Sequence, residues 1–497
     1  MDITSLLFIC FVIVSVSVYL VLPKKNQWIW LLVISLVFYF LSAKAYTIVY
    51  LFSSVATVYW CTNSWEGKTQ EYKKRTLLIT IIFNVLILAV LKYSGFAFNI
   101  IETMLNLCGI NYTVPQISWI ASLGVSYYTL QIVAYLLDCY WGIAKIEKNI
   151  LKLTLFTCYF PQMISGPISR YKEIGKQLFE EHRFEYTRIT NGMIRMVWGL
   201  FEKTVVSARL AVIVDTIYSD YVTYSGVFIW LAIVLFPLQL YTDFCGCMNI
   251  IMGVSECFGI ILPQNFKAPF FSKTVQELWQ RWHITLGSWL KEYIMNPILK
   301  SELFINMGEY FKVKLGKKRG KRVHVYVAMF ILWLCMGIWH GSGWNYIAEG
   351  IYFWFILILE QILQLNKKKG NGINNIGIFK MLRTYILFAI GMVFFRVNNL
   401  SEMVSVLYEA GSIGNINMLF NGNSIRSFGL TKLHLIILLI GLLAVYKVDM
   451  TIYNGKDVRD NLRNKNLLLR WTCYWLMIGL IIMSLNLSTK EFLYAQF

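Results

Sequence analysis

An all-α, polytopic membrane protein of about 11 to 13 transmembrane helices, with re-entrant and interfacial helices added, is what this sequence predicts. Three observations carry that expectation. Hydrophobic residues make up 57% of the 497 positions and charged residues only 15%, and mean hydropathy is +0.56, a composition that soluble surfaces do not have. Apolar runs long enough to cross about 30 Å of hydrocarbon recur along the chain. Basic residues gather between those runs, as the positive-inside rule requires.

The first run, Ile3 to Leu22, lacks a basic n-region and a small-residue cleavage site, and Lys24-Lys25 follow it; it reads as a retained first helix. Further runs cover Trp28–Leu41, Tyr46–Cys61, Leu77–Val90, Ile117–Leu137, Gly192–Ile217 and Val227–Cys245. Later ones cover Val323–Trp339, Tyr346–Leu363, Leu382–Val397, Leu433–Val445 and Leu467–Leu487. With the N-terminus outside, Lys24-Lys25, the group Lys68/Lys73/Lys74/Arg75, Arg170 to Arg188, Lys312 to Arg322, Lys367-Lys368-Lys369 and Lys456 to Arg470 all fall on the cytoplasmic side. The opposite loops keep few charges, such as Lys44, Lys92 and Arg426.

Two segments do not read as simple crossings. Leu151–Ser165 is apolar but sits between cytoplasmic basic groups and ends at Gly166-Pro167, so it is expected to enter the membrane and turn back. Across Val275 to Leu299, helical spacing puts Trp279, Trp282, His283, Leu286, Trp289, Leu290 and Tyr293 on one face, with Gln280, Arg281, Ser288, Lys291 and Glu292 on the other. That pattern predicts one amphipathic helix at an interface or along a cavity, with a histidine on its aromatic face. No repeat of 20 to 50 residues is visible. A single membrane domain over 1–497 is the simplest organisation, with N-terminal spans in 3–95, a motif-bearing core in 120–360 and C-terminal spans in 380–490.

The charge balance, 46 Lys plus Arg against 27 Asp plus Glu or a formal +19, raises nucleic acid as a partner. The basic residues are short groups between apolar runs, with no aromatic-interleaved basic domain, so no nucleic-acid partner is expected and membrane lipids are. The ten cysteines contain no CxxC pair, and Cys245 and Cys247 are the nearest two; neither a disulfide framework nor a zinc site follows. Five scattered histidines form no HExxH pattern. No metal and no bound cofactor are expected.

An ionisable group inside a bilayer is costly and calls for a partner or a task. His340 stands in Trp339-His340-Gly341-Ser342-Gly343-Trp344, after a charge-free stretch from Ala328 to Ile338. Gly341 and Gly343 let a backbone or ligand approach closely, while the tryptophans can wall off water. A neutral imidazole there can take a proton from a hydroxyl and return it, or can simply bond a neighbouring helix. His283 reads as an interfacial anchor or as a second functional imidazole. Asp243 can orient an imidazole or satisfy a helix end, and Arg170, just past Gly166-Pro167, can meet a phosphate or cap the broken helix. Lys312–Arg322 reads as a topology signal and headgroup contact that can also attract an anionic donor.

Several blocks together resemble the membrane-bound O-acyltransferase family, in its bacterial branch containing the alginate O-acetyltransferase membrane subunit and the D-alanyl transfer protein of teichoic acids. They are Gly124-Val125-Ser126-Tyr127-Tyr128-Thr129 with Tyr135-Leu136-Leu137-Asp138, Phe160-Pro161 through Gly166-Pro167 to Arg170-Tyr171, and Gln239-Leu240-Tyr241-Thr242-Asp243-Phe244-Cys245-Gly246. Leu278-Trp279-Gln280-Arg281-Trp282-His283 through Trp289-Leu290 and Met336-Gly337-Ile338-Trp339-His340-Gly341 complete the ordered set, and Phe492–Phe497 is similar to the alginate-type C-terminus. The chain departs from that type at Asn249, where an aspartate is usual, at Gln280, where a basic residue is common, and in the long basic segment that follows Asn296-Pro297.

The resemblance implies a compact many-helix fold with a pore-like cavity, His340 as the catalytic residue and His283 as a second active-site residue. Asp243, Arg281, Trp282, Trp339 and Arg170 are the residues it leaves to support or substrate positioning. It implies transfer of an acyl group, acetyl from acetyl-CoA, from a cytoplasmic thioester towards a cell-envelope polysaccharide, with His340 as base and His283 positioning or polarising the donor carbonyl. An extracytoplasmic hydrolase-like partner of the SGNH type is a further implied partner, since this chain has no nucleophile-elbow motif. D-alanyl transfer from an acyl-carrier protein to teichoic acid is the alternative within the class. Outside it, a transporter of a polysaccharide or lipid-linked substrate would also explain the spans, and would keep working without His340. A membrane scaffold would bind without turnover.

Overall fold

The computed structural model of the chain describes residues 1–111, 113, 124–163, 165–363, 365, 375–413 and 428–484. The start of the Ile117–Leu137 run, the Lys367-Lys368-Lys369 group, Arg426 and the Phe492–Phe497 block lie outside them. Every regular element among the described residues is helical, as composition predicts. Seven helices there are long and apolar enough to cross a membrane: Lys24–Ser42, Gln70–Leu107, Val227–Phe258, Arg319–His340, Ile376–Arg396, Lys432–Tyr453 and Leu467–Ser484. This is a multi-pass membrane protein. The remaining runs of the sequence count sit on 16-residue helices, which rise about 24 Å, or on helices interrupted by buried ionisable side chains.

The described residues form two compact units, Met1–Ile194 with Ile251–Pro263, and Arg195–Ile250 with Gln264–Phe497. The first contains α1 (Leu6–Val21), α2 (Gln27–Ser42), α3 (Ile48–Asn63), α4 (Gln70–Leu107), α5 (Val125–Tyr140), α6 (Ile150–Cys158), α7 (Phe160–Met163), α8 (Tyr171–Phe179) and the start of α9 (Tyr186–Leu200). Side chains cap several of these helices: Ser5 Oγ accepts from Phe8 N and Asn149 Oδ1 from Leu151 N, satisfying amides that a helix start leaves open. The Leu151–Ser165 segment, expected to run on to Gly166-Pro167, is already broken at Tyr159 (φ −52°, ψ 111°), so neither the nine residues of α6 nor the four of α7 can cross hydrocarbon. Gly124, in the left-handed region at φ +67°, backs onto Met163; a Cβ there would stand 1.8 Å from that carbonyl oxygen. Gln131 Nε2 donates to Gln162 Oε1. Two blocks of the sequence pattern therefore meet by backbone contact and a buried hydrogen bond between side-chain amides.

The second unit contains a π-helical stretch, Phe201–Ser207, followed by α10 (Ala208–Ser219) and most of α11 (Val227–Phe258). It continues with α12 (Val275–Arg281), α13 (Ile284–Leu290), a π-helical turn Lys291–Met295, α14 (Asn296–Leu299), α15 (Glu302–His340) and α16 (Trp344–Ile362). It ends with α17 (Asn375–Arg396), α18 (Leu400–Ala410), α19 (Lys432–Tyr453), α20 (Val458–Arg463) and α21 (Leu467–Ser484). Helix α15 is two helices that fold back at Gly316 (φ 79°, ψ 158°), with Gly320 against the Phe311 carbonyl and Gly308 against the His324 ring. The basic Lys312–Arg322 segment is the tip of that hairpin.

One expectation is overturned here. The Val275–Leu299 segment is not a single amphipathic helix, because His283 adopts φ 45°, ψ 50° and ends one helix before the next begins. Its Trp282 and His283 side chains are buried within the chain. The apolar period of 3.6 residues continues through the break, since it records residue types and is blind to one left-handed residue.

Candidate active site

The turn that carries His283 is built from its neighbours outward. Thr274 caps α12 by accepting from Glu277 N at 3.0 Å. Glu360 on α16 accepts from the next two open amides, Val275 N at 3.0 Å and Gln276 N at 3.2 Å. At the other end of α12 the chain turns beside residues 265–267: Lys267 N donates to Arg281 O, and Ile284 N to Asn265 O, both at 3.0 Å. The left-handed backbone of a histidine is worth about 1–3 kcal/mol of strain. Asn265 Oδ1 holds it in place, accepting from Thr285 N at 3.1 Å and Thr285 Oγ1 at 2.9 Å, with His283 Nδ1 at 3.2 Å.

That shared oxygen decides a tautomer. An oxygen that already accepts from a backbone N–H faces Nδ1 as an acceptor, so Nδ1 carries the hydrogen and neutral His283 presents a lone pair at Nε2.

His340 is the last residue of α15, which stops at Gly341 (φ −174°, ψ 172°). Its Nδ1 lies 2.9 Å from Glu349 Oε2 on α16, and the two side chains are 2% and 1% exposed. A carboxylate accepts, so Nδ1–H donates and Nε2 again carries the lone pair, the nitrogen a general base uses. The close approach of α15 to α16 that makes this contact depends on glycine: a Cβ at Gly337 would stand 2.3 Å from Tyr346 O, and one at Gly350 would stand 2.3 Å from Trp333 O.

The two histidines meet over one indole. The Trp339 ring centroid is 5.5 Å from that of His283 and 5.7 Å from that of His340. Phe244 closes against His283 at 4.9 Å and Phe395 against His340 at 5.4 Å, both edge-on. Trp282 packs among Tyr241, Phe266, Phe270 and Phe388. Such an apolar shell excludes water and strengthens every polar contact inside it.

The other residues singled out from sequence take different places. Arg281 donates to Glu277 at 2.9 Å and to Lys267 O at 3.3 Å, and its guanidinium lies over the Tyr453 ring. Asp243 is engaged by Lys203 at 2.5 Å inside the second unit, an arrangement beyond the two read from the sequence. Arg170 stands in the first unit at the start of α8, where its backbone N–H donates to Glu173 at 3.0 Å, so the helix it adjoins is the one that follows and not the broken one before Gly166-Pro167. The space left by Gly341 is filled by the Tyr346 ring, which a Cβ would meet at 2.1 Å, so that glycine serves packing within the chain. Of the two tryptophans flanking His340, Trp339 shields the site while Trp344 is 55% exposed.

Sequence reading missed Glu349, Asn265, Lys203 and Glu360. A carboxylate within an apolar helix was a signal available for Glu349 and Glu360; Asn265 carried none. Glu349 Oε1 and Trp279 Nε1 are buried without a hydrogen-bond partner among the described residues.

The model of the membrane-bound O-acyltransferase family, MBOAT, matches residues 58–397, which include both histidines, Glu349 and Glu360. A probable alginate O-acetylase of Pseudomonas syringae pv. tomato is 26% identical over 69% of this chain and 62% of its own length. A peptidoglycan O-acetyltransferase of Helicobacter pylori is 28% identical over 78% of this chain and 75% of its own. A teichoic acid D-alanyltransferase of Bacillus subtilis is 25% identical over 51% of this chain and 62% of its own. The chain thus spans about three fifths of the length of the alginate and teichoic-acid relatives.

Proposed function

This chain belongs to the membrane-bound O-acyltransferase family, and we propose on that premise that it transfers an acetyl group from a cytoplasmic thioester, acetyl-CoA, towards a hydroxyl of a cell-envelope polysaccharide. The observation that carries this reading is the buried His340–Glu349 pair with His283 across Trp339. The match to the peptidoglycan O-acetyltransferase covers more of the chain than that to the D-alanyltransferase, which favours acetyl over D-alanyl.

In this mechanism Glu349 holds Nδ1–H of His340, and Nε2 takes the proton of the acceptor hydroxyl as its oxygen attacks the thioester carbonyl carbon. The tetrahedral intermediate collapses with loss of the thiolate, and the proton on Nε2 passes to that sulfur. Ester and free thiol are the products, and the histidine returns to its starting form. His283, with its hydrogen on Nδ1, accepts at Nε2 and so positions an O–H or N–H of a substrate; a neutral ring in that tautomer does not polarise a carbonyl. Glu349 Oε1 and Trp279 Nε1–H, an acceptor and a donor, suit a site completed by substrate groups. Delivery to the polysaccharide through an extracytoplasmic SGNH-like partner is part of the same reading.

The test is free-thiol release from acetyl-CoA in vesicles with the cytoplasmic face outward and an acceptor or partner protein inside. Wild type turns over and His340→Ala, at equal protein level, does not. Equal turnover in the variant sinks the assignment. Turnover only with a D-alanyl carrier protein reverses the choice of donor.

A further inference from the structure

Helix α16 carries two buried carboxylates, Glu349 and Glu360, whose spacing of 11 residues is about 16 Å and three turns plus about 20°. They therefore lie on one face of the helix. Glu349 holds His340. Glu360 accepts from Val275 N and Gln276 N at the start of α12, and Arg383 on α17 braces it, reaching Glu360 Oε1 at 3.5 Å and Lys273 O at 3.0 Å. Between the two, Phe353 projects from the same face and meets the Trp279 ring at 4.9 Å.

From these contacts we propose that α16 is the template that sets the separation of the two histidines, with Glu360 as the positioning residue for His283 as Glu349 is for His340. The proposal rests on the acyl-transfer reading above. Helix α12 has seven residues, too few to hold a helix unaided. Its placement comes from both ends, and at its start a single carboxylate occupies two of the open amides at the positive end of the helix dipole. Its rotation is set midway by Trp279 on Phe353. The chain then reaches His283 two residues past the end of α12, so a tilt at the clasp moves the imidazole. Misplacement of a reacting group by about 1 Å costs on the order of 100-fold in rate, and Glu360 can govern turnover without touching substrate.

The experiment is a double-mutant cycle on the full-length protein in vesicles, with acetyl-CoA as donor. Glu360→Gln keeps one accepting oxygen and removes the charge. It is expected to lower kcat about 10- to 100-fold, leaving KM for the donor within about 2-fold, with partial recovery in Glu360→Asp. In a His283→Asn background the same change is expected to cost less than about 2-fold, since a positioner has nothing left to position. Losses that multiply in the double variant overturn the template, because a merely structural role weakens both backgrounds alike. Should Glu360→Gln fail to fold, Arg383→Gln replaces it in the same cycle, with the same non-additivity expected. Full turnover in His340→Ala would defeat the acyl-transfer reading itself, whereas multiplied losses with His340→Ala inactive defeat only the template.

Discussion

His340 Nδ1 and Glu349 Oε2 stand 2.9 Å apart across the turn between α15 and α16, both nearly excluded from solvent. An imidazole donating to a carboxylate has one tautomer and one orientation, and the other ring nitrogen is left as the base. Glu349→Gln is expected to lower kcat at least about 100-fold with little change in KM. Glu349→Ala leaves a buried N–H open and should also lose about 1–3 kcal/mol of stability. Turnover in vesicles and thermal unfolding in detergent read the two effects separately.

Asn265 anchors His283 through one oxygen that serves three groups, Thr285 N, Thr285 Oγ1 and His283 Nδ1. Asn265→Leu removes that acceptor from all three and is expected to cost about 3 kcal/mol and to reduce kcat to the level of a His283 variant. Asn265→Asp keeps the acceptor and should retain most stability. The unfolding temperatures of the two variants should therefore diverge, and equal losses would contradict the anchoring role.

The glycines of the second unit are not equivalent. Gly337→Ala drives a methyl group to 2.3 Å from Tyr346 O and is expected to destabilise by about 1–3 kcal/mol, with activity falling as α15 and α16 separate. Gly287, on α13, has nothing within 4 Å of an added Cβ, so Gly287→Ala should be neutral or gain up to about 1 kcal/mol. Thermal unfolding of the two single variants checks the contrast.

Lys203 and Asp243 form an ion pair inside the second unit, each side chain 8% exposed. Lys203→Met alone leaves a buried carboxylate and is expected to cost about 3–5 kcal/mol. Adding Asp243→Leu removes that carboxylate and should recover most of the loss. If the double variant is as unstable as the single one, the pair contributes more than charge balance.

His340 and His283 were legible because each stands alone in apolar or aromatic surroundings, where an ionisable group needs a reason. Glu349 and Glu360 offered the same signal in Tyr346–Leu363, yet nothing in their spacing shows that one faces an imidazole and the other a helix start. Arg170 drew attention as a charge just past Gly166-Pro167, yet the helix it adjoins is α8, where Glu173 accepts from its backbone N–H. Asp243 was visible as a buried charge, but its partner Lys203 is 40 residues away in the chain.

By itself the sequence determined the membrane class and the all-helical architecture and marked the two histidines as candidates, because transfer of side chains to hydrocarbon is nearly additive and registers in composition and local pattern. It also held the family resemblance that the match over 58–397 makes plain. Only the tertiary structure decided that Val275–Leu299 breaks at a left-handed His283, that Asn265 and Glu349 choose the tautomers, and that Gly341 receives Tyr346. Those outcomes depend on which distant atoms share a hydrogen bond or a van der Waals contact, and a single donor or acceptor placed by packing carries no periodicity along the chain.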